Sequence, residues 1–211
     1  MFVTKIIRKK GRRGMYSVSV DGAKAFELDV DVLAKFGLRA GDELAERDVE
    51  RILVEQARFA ARRLAVNYIS YRPRSCREVS VHLTRKGYSK ELARSVAAQL
   101  EQAGLINDPE FAAMFVRDRI KRRPVGRALL RRALQERGIA PQVAEQVLNT
   151  ALSDDTQAEA AQELAAKRLR LHQSSFAKLD VAHRKKRLLE YLLRRGFSND
   201  IALKTVRTIL A

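Results

Sequence analysis

Arginine is the residue type whose number and spacing promise chemistry in this sequence. Lys and Arg total 42 against 25 Asp and Glu, a formal net charge of +17 over 211 residues. A guanidinium is a planar fork of donors that matches phosphate and carboxylate oxygens two at a time. An excess of this size points to a polyanion, or to a partner that already sits on one. The densest run is Arg117, Arg119, Lys121, Arg122, Arg123, Arg127, Arg131, Arg132 and Arg137, interrupted only by the acids Asp118 and Glu136. A second cluster is Arg184, Lys185, Lys186 and Arg187, joined by Arg194 and Arg195, and the chain begins with a third, Lys5, Arg8, Lys9, Lys10, Arg12 and Arg13. Arg72, Arg74, Arg77 and Lys86 complete the set. Trp is absent and few aromatics are interleaved with these charges, which argues against base stacking and for electrostatic, sequence-independent contact.

Other chemistries find little support. No glycine-rich loop ends in Gly-Lys-Ser/Thr, so no phosphate-cradling NTPase loop is expected. His82, His172 and His183 are scattered and read as solvated surface groups. Cys76 stands alone, so neither a disulfide framework nor a cysteine-rich zinc site can form. The densest acidic candidates for a nuclease are Asp108 with Glu110, and Glu46 with Asp48 and Glu50. Asp108 before Pro109 reads as a helix N-cap, and Asp154-Asp155 as the acidic opening of a helix. No catalytic residue, metal or cofactor is expected, and the chain reads as a binding protein rather than an enzyme. Met1 to Lys5 has no apolar signal region, and no stretch approaches a membrane span, so a cytoplasmic protein is expected.

The elements that must hold these charges divide at about residue 46. Before it, Val3–Ile7 is a short β-like run, and Tyr16, Val18 and Val20 alternate with Ser17 and Ser19. Asp21-Gly22 is a favoured hairpin pair, Ala23–Leu28 the return strand, and Asp29–Phe36 one short helix stopped by Gly37. From Asp48 onward the period is helical. Leu53, Ala57, Ala60, Ala61, Leu64, Ala65 and Tyr68 mark the core face of one long helix that should end before Pro73. A leucine then lies four residues before a glycine three times: Leu83 and Gly87, Leu134 and Gly138, Leu192 and Gly196. Each glycine follows a basic residue (Lys86, Arg137, Arg195) and precedes an apolar one (Tyr88, Ile139, Phe197), with Ala93, Ala144 or Ala202 six residues on. The unit is a helix capped by glycine, a turn and a second helix, preceded by a further helix. Ser89 and Ser198 can N-cap the second helix, and Pro141 opens it in the middle copy. Asp154–Leu171 reads as a charged helix and His172–Asp180 as a looser link. Between the middle turns, Arg127 and Arg131 are four apart and share a face, with Arg132 beside them, while Leu130 and Leu134 point elsewhere.

These residues resemble a known family. Arg74-Ser75, Glu78, Leu83 and Lys86-Gly87-Tyr88 are similar to the first repeat of RecX proteins, and Leu105-Ile106-Asn107-Asp108-Pro109-Glu110-Phe111-Ala112 to the junction after it. Arg123-Pro124-Val125-Gly126 with Leu130 and Leu134 resembles the second-repeat turn, and Arg194-Arg195-Gly196-Phe197-Ser198 the third. The resemblance runs from Asp48 to Leu210. It implies a mainly α fold, an elongated curved array of three tandem three-helix repeats with a small N-terminal β-hairpin module. The expected divisions are 1–46 for the β-containing module and 47–104, 105–152 and 153–211 for the repeats. It also implies a negative regulator in recombination, DNA repair and the SOS response, and a monomer is expected. Such a protein binds the RecA filament on single-stranded DNA and inhibits its ATPase, strand exchange and co-protease activity. The residues expected to face partner or DNA are Arg72, Arg74, Arg77, Lys86, Arg117, Arg119, Lys121, Arg122, Arg123, Arg127, Arg131, Arg132, Lys185, Lys186, Arg187, Arg194 and Arg195. The family has no catalytic motif to carry over. The alternative is a general sequence-independent DNA-binding helical module that also takes duplex. Base reading by a helix–turn–helix would want Asn or Gln among the arginines, and the Arg127 helix offers only Gln135 near its end.

Overall fold

The computed structural model describes residues 1–210. It divides into two compact units, one of Met1–Arg72 with Val79–Leu100, the other of Pro73–Glu78 with the chain from Glu101 onward.

The first unit opens with three strands, β1 (Val3–Arg8), β2 (Met15–Val20) and β3 (Ala23–Asp29), in an antiparallel sheet of that order. The expected hairpin is therefore widened by β1, whose Val3 lies opposite Val20 and whose Ile6 lies opposite Val18. Burial of Val3 with Val18, Val20, Phe26 and Leu28 gives the third strand its reason to join. The β2–β3 turn uses positive φ at both Asp21 (49°) and Gly22 (83°), the conformation whose twist matches a two-residue hairpin. Asp29 ends the sheet and caps α1 (Val30–Phe36), accepting from the Asp31 amide, and Gly37 closes that helix in the left-handed region.

Helix α2 runs from Glu46 to Ser70 and stops before Pro73 as expected. Its core face differs from the reading above. Leu53 is 43% exposed, whereas Ile52 is 1% exposed and packs into the sheet core beside Val49 and Phe59. The first half of α2 is laid against the sheet, and that contact sets which stripe is buried there; Ala61 and Ala65 are buried further along. Gln56 accepts the Asp29 amide at 2.8 Å, and Arg63 pairs with the buried Asp29 carboxylate. Helices α3 (Cys76–Arg85) and α4 (Lys90–Gln102) follow, burying Leu83, Ala93, Val96, Ala97 and Leu100.

The second unit holds two helical cores. In one, α5 (Asp108–Arg122), α6 (Arg127–Glu136) and α7 (Pro141–Ala151) enclose Phe111, Val116, Leu130, Leu134, Ile139, Ala144 and Leu148. In the other, α8 (Asp154–Leu171), α9 (Gln173–Ala177), α10 (Val181–Arg194) and α11 (Asn199–Ile209) enclose Ala161, Leu164, Phe176, Leu188, Leu192, Phe197 and Val206. The link expected to be loose contains α9, and Phe176 from it fills the core at 4% exposure.

The repeated cap forms in all three copies with the same bonds. Gly87, Gly138 and Gly196 have φ of 95°, 79° and 86°. The residue after each donates to the carbonyl of the leucine five before it: Tyr88 to Leu83 at 3.3 Å, Ile139 to Leu134 at 3.1 Å and Phe197 to Leu192 at 3.3 Å. This is the left-handed cap that satisfies otherwise orphaned carbonyls and closes on an apolar contact. Ser89 and Ser198 then cap the next helices through Leu92 and Ile201, and Pro141 opens α7 where Ala140 cannot. Ala93, Ala144 and Ala202 are fully buried, as the close approach of two helices requires.

Candidate nucleic-acid interface

The site begins with how the second and third repeated turns are used. Ser75 and Gly126 stand at equivalent places, each just before the helix that its own glycine closes. Ser75 Oγ accepts from the Glu78 amide and donates to the Arg137 carbonyl at 2.7 Å. Gly126 lacks a hydroxyl and donates its own amide to the corresponding carbonyl, Arg195, at 2.9 Å, while Ala128 donates to Gly196 at 3.0 Å. The start of one helix is thus bonded to the glycine turn of the next copy. The basic residue before each of these glycines is held at a junction, a role the sequence alone did not reveal.

This junction brings Arg195 to the end of α5 and the side of α6. Arg119, Arg122, Arg123, Arg132 and Arg195 line a cleft of about 490 Å³ whose floor is Val125, Leu129, Leu130 and Ala133. Glu136 is the one carboxylate in that lining. Arg195 donates to the Pro124 carbonyl at 2.9 Å, and its buried Nε has no hydrogen-bond partner. Arg119 and Arg123 are exposed, and among the described residues their guanidinium groups have no ion pair or hydrogen bond. Arg122 and Arg132 pair with Asp118 and Glu136 one turn away, at 3.1 and 3.0 Å, on a largely exposed surface. Such pairs are worth roughly 0.3–0.5 kcal/mol, so an incoming phosphate competes with them easily. The cleft offers a cluster of guanidinium forks above an apolar floor, suited to a phosphodiester backbone or another polyanion.

The remaining expected residues are distributed differently. Arg117 and Lys121, four apart, are exposed on another side of α5. Arg127 and Arg131 do share a face, but they turn to Glu145 on α7: Arg127 Nη2 lies 2.9 Å from Glu145 Oε2, Arg131 Nη2 at 3.1 Å, and Arg131 Nε also bonds Glu145 Oε1. Their first task is to tie α6 to α7. Hydrogen bonds from Arg131 and then Arg127 hold the Glu145 carboxyl down at about 2. Because the folded value lies below the ordinary one, the pairing contributes fully above about pH 4.5 and is lost as pH falls toward 2. Thermal melts of the wild type and Glu145→Gln are expected to converge across that window on acidification, the wild type losing stability more steeply. Parallel pH profiles would contradict this assignment.

Lys185, Lys186, Arg187 and Arg194 are exposed on α10; Arg187 lies over the Phe176 ring and Arg194 is 3.8 Å from Glu190. Arg72, Arg77 and Lys86 are exposed and Arg74 is half-buried. Arg77 packs its methylenes against Gly138, where an added Cβ would meet Arg77 Cβ at 2.5 Å.

Three acid–base expectations are refined. Asn107, not Asp108, caps α5, accepting from the Glu110 amide at 3.0 Å. Asp108 instead reaches the start of α3 and accepts the Cys76 amide at 2.9 Å. Cys76, Glu101 and Asp108 place their ligand-type atoms within 4.8 Å of one another, a grouping that isolated sequence positions could not signal. Burial first, then the two carboxylates, push the Cys76 thiol up to about 12, and burial raises Asp108 as well. Cys76 is thus a protonated, inert thiol at neutral pH. Of the histidines, only His183 is exposed, with its Nδ1 2.8 Å from the Asp180 carboxylate; His82 is half-buried and stacks on Tyr68 at 3.9 Å, and His172 is half-buried against Arg168.

Comparison with known proteins matches this arrangement. Family models described as the first, second and third three-helix domains of RecX match residues 61–100, 107–148 and 155–206. The chain is 33% identical to the regulatory protein RecX of Bacillus licheniformis over 200 residues, covering 95% of this chain and 74% of that protein. It is 32% identical to that of Bacillus subtilis over the same shares. A crystal structure of a regulatory protein RecX superposes with a TM-score of 0.78 at 26% identity, covering 96% of this chain and 98% of that one. RecX from Lactobacillus salivarius gives 0.62 at 25% identity, over 73% and 96%. Three matched domains in order, with relatives above 30% identity over nearly the whole length, place this chain in the RecX family of regulatory proteins.

Proposed function

We propose that this protein is a negative regulator of the RecA recombinase. It binds the RecA filament on single-stranded DNA and inhibits ATP hydrolysis, strand exchange and co-protease activity. The observation that carries the reading is the arginine cleft of Arg119, Arg122, Arg123, Arg132 and Arg195, set in a chain of net charge +17. A regulator that acts on a nucleoprotein filament needs a surface that engages phosphates while its body contacts protein. The cleft is that surface, with Arg117, Lys121, Lys185, Lys186, Arg187 and Arg194 as outlying contacts. Arg72, Arg74, Arg77 and Lys86 are the expected contacts of the first repeat, and Arg127 and Arg131 support the cleft through Glu145. The functional divisions are the module 1–46 and repeats 47–104, 105–152 and 153–211. By holding neighbouring RecA protomers together, the protein hinders the rearrangements that turnover and strand exchange require. It acts by binding, without catalysis or cofactor, as a monomer in the cytoplasm. None of the described helices is long and apolar enough to cross a membrane.

Co-sedimentation tests the reading. Filaments of RecA on poly(dT) with a non-hydrolysable ATP analogue are expected to pellet this protein in saturable proportion at physiological salt. Failure to pellet with the filament, while binding DNA alone equally well, would favour a general DNA-binding module instead. The unpartnered Arg119 and Arg123 are what support that second reading, since they suit any phosphodiester strand.

A further inference from the structure

The β1–β2 turn belongs to the first unit and carries a second concentration of charge. Residues Arg8, Lys9, Lys10, Gly11, Arg12 and Arg13 line a shallow concavity of about 540 Å³ formed by themselves alone. Lys9 is half-buried and every other residue of this run is exposed, so the run contributes nothing to the sheet core of Val3, Val18, Val20, Phe26 and Leu28. The turn is nevertheless ordered. Lys9 donates to the Met15 carbonyl at 2.9 Å, Met15 donates to Arg12, and Gly11 and Gly14 take φ near 80°. Glu27 on β3 grips it from beside, with Lys9 Nζ at 2.5 Å and Arg12 Nη1 at 3.3 Å. Arg8, Lys10 and Arg13 have no ion pair or side-chain hydrogen bond among the described residues.

Five cations in six consecutive residues repel one another, and the fold gains no packing in return. Such an arrangement is explained when a polyanion neutralises it. Holding the turn in one geometry beforehand also lowers the ordering cost of contact. We propose that the β1–β2 turn is a second nucleic-acid contact, gripping a phosphodiester backbone without reading bases. The concavity is a few residues wide and lacks aromatics, which suits phosphates and excludes stacked bases.

The test uses the full chain and labelled 30-mer oligonucleotides, duplex and single-stranded, with no recombinase present. Its outcome is therefore separate from filament binding, and because the variant keeps the cleft intact, the difference from the wild type belongs to the turn. Affinity is read by fluorescence anisotropy between 50 and 300 mM NaCl. The variant Lys10→Ala/Arg12→Ala/Arg13→Ala is expected to bind at least tenfold more weakly at low salt. Its log–log salt slope should be shallower by up to about 2.7 for duplex, since each of the three lost phosphate contacts contributes about 0.9. Its melting temperature should equal or exceed that of the wild type. Glu27→Gln, which removes the opposing charge, should bind about two- to fivefold more tightly. The duplex and single-stranded arms show which backbone the turn prefers. Unchanged affinity and slope in the triple variant would overturn the proposal. So would a wild type that binds neither oligonucleotide at 50 mM NaCl. Normal nucleic-acid binding with weakened filament co-sedimentation would overturn it too, because the turn would then be a protein contact.

Discussion

Gly126→Ala is expected to destabilise the second unit by about 3 kcal/mol or more, near the upper end for a single added methyl group. Gly126 has an ordinary extended backbone (φ −77°, ψ 156°), so alanine meets no conformational penalty there. The cost is steric. A Cβ would lie 2.0 Å from the Gly196 carbonyl carbon and 2.1 Å from the Phe197 nitrogen, all backbone of the neighbouring turn. Relief requires separating the two segments, which breaks Gly126 N–H to Arg195 and Ala128 N–H to Gly196, each worth about 1 kcal/mol. A domain of this size loses roughly 2–4 °C per kcal/mol, so the melting temperature should fall by about 10 °C. Gly87→Ala makes the contrast: φ is 95° but nothing lies within 4 Å of the added atom, so only the left-handed conformation costs, about 1–2 kcal/mol. Calorimetry of both variants checks the ranking, and a Gly126→Ala protein that melts within two degrees of wild type would remove the junction from the account.

The second large effect is on binding. Arg119→Glu/Arg123→Glu should weaken co-sedimentation with RecA–DNA filaments by about a hundredfold at low salt, with a smaller difference at high salt as screening removes the wild-type advantage. Both side chains are exposed and have no partner among the described residues, so the variant should melt like the wild type. Undiminished binding by a folded variant would show that the arginine cleft is not the contact.

The parts legible in the sequence are those set by short-range chemistry. The three glycine caps depend on residues within one turn of each glycine, and all three formed with the same bonds. Asp21-Gly22 and the end of α2 before Pro73 are local for the same reason. The errors arise where a partner comes from elsewhere in the chain. Leu53 shares the helical period with Ala57, yet the sheet selects Ile52. Asp108 looks like a cap for its own helix, yet Asn107 does that and Asp108 serves α3. Arg127 and Arg131 share a face as their spacing requires, but the carboxylate they meet is on α7. The cleft itself was half visible: the run from Arg119 to Arg132 is dense in sequence, whereas Arg195 arrives through the Gly126–Gly196 junction.

Restraint of a recombinase filament by this basic chain is read out by steady-state ATP hydrolysis by RecA on single-stranded DNA. Titrating the protein into preformed filaments should lower the turnover rate in a saturable way, at protein concentrations below those that coat the DNA stoichiometrically. A turnover rate unaltered at saturating protein would contradict the account.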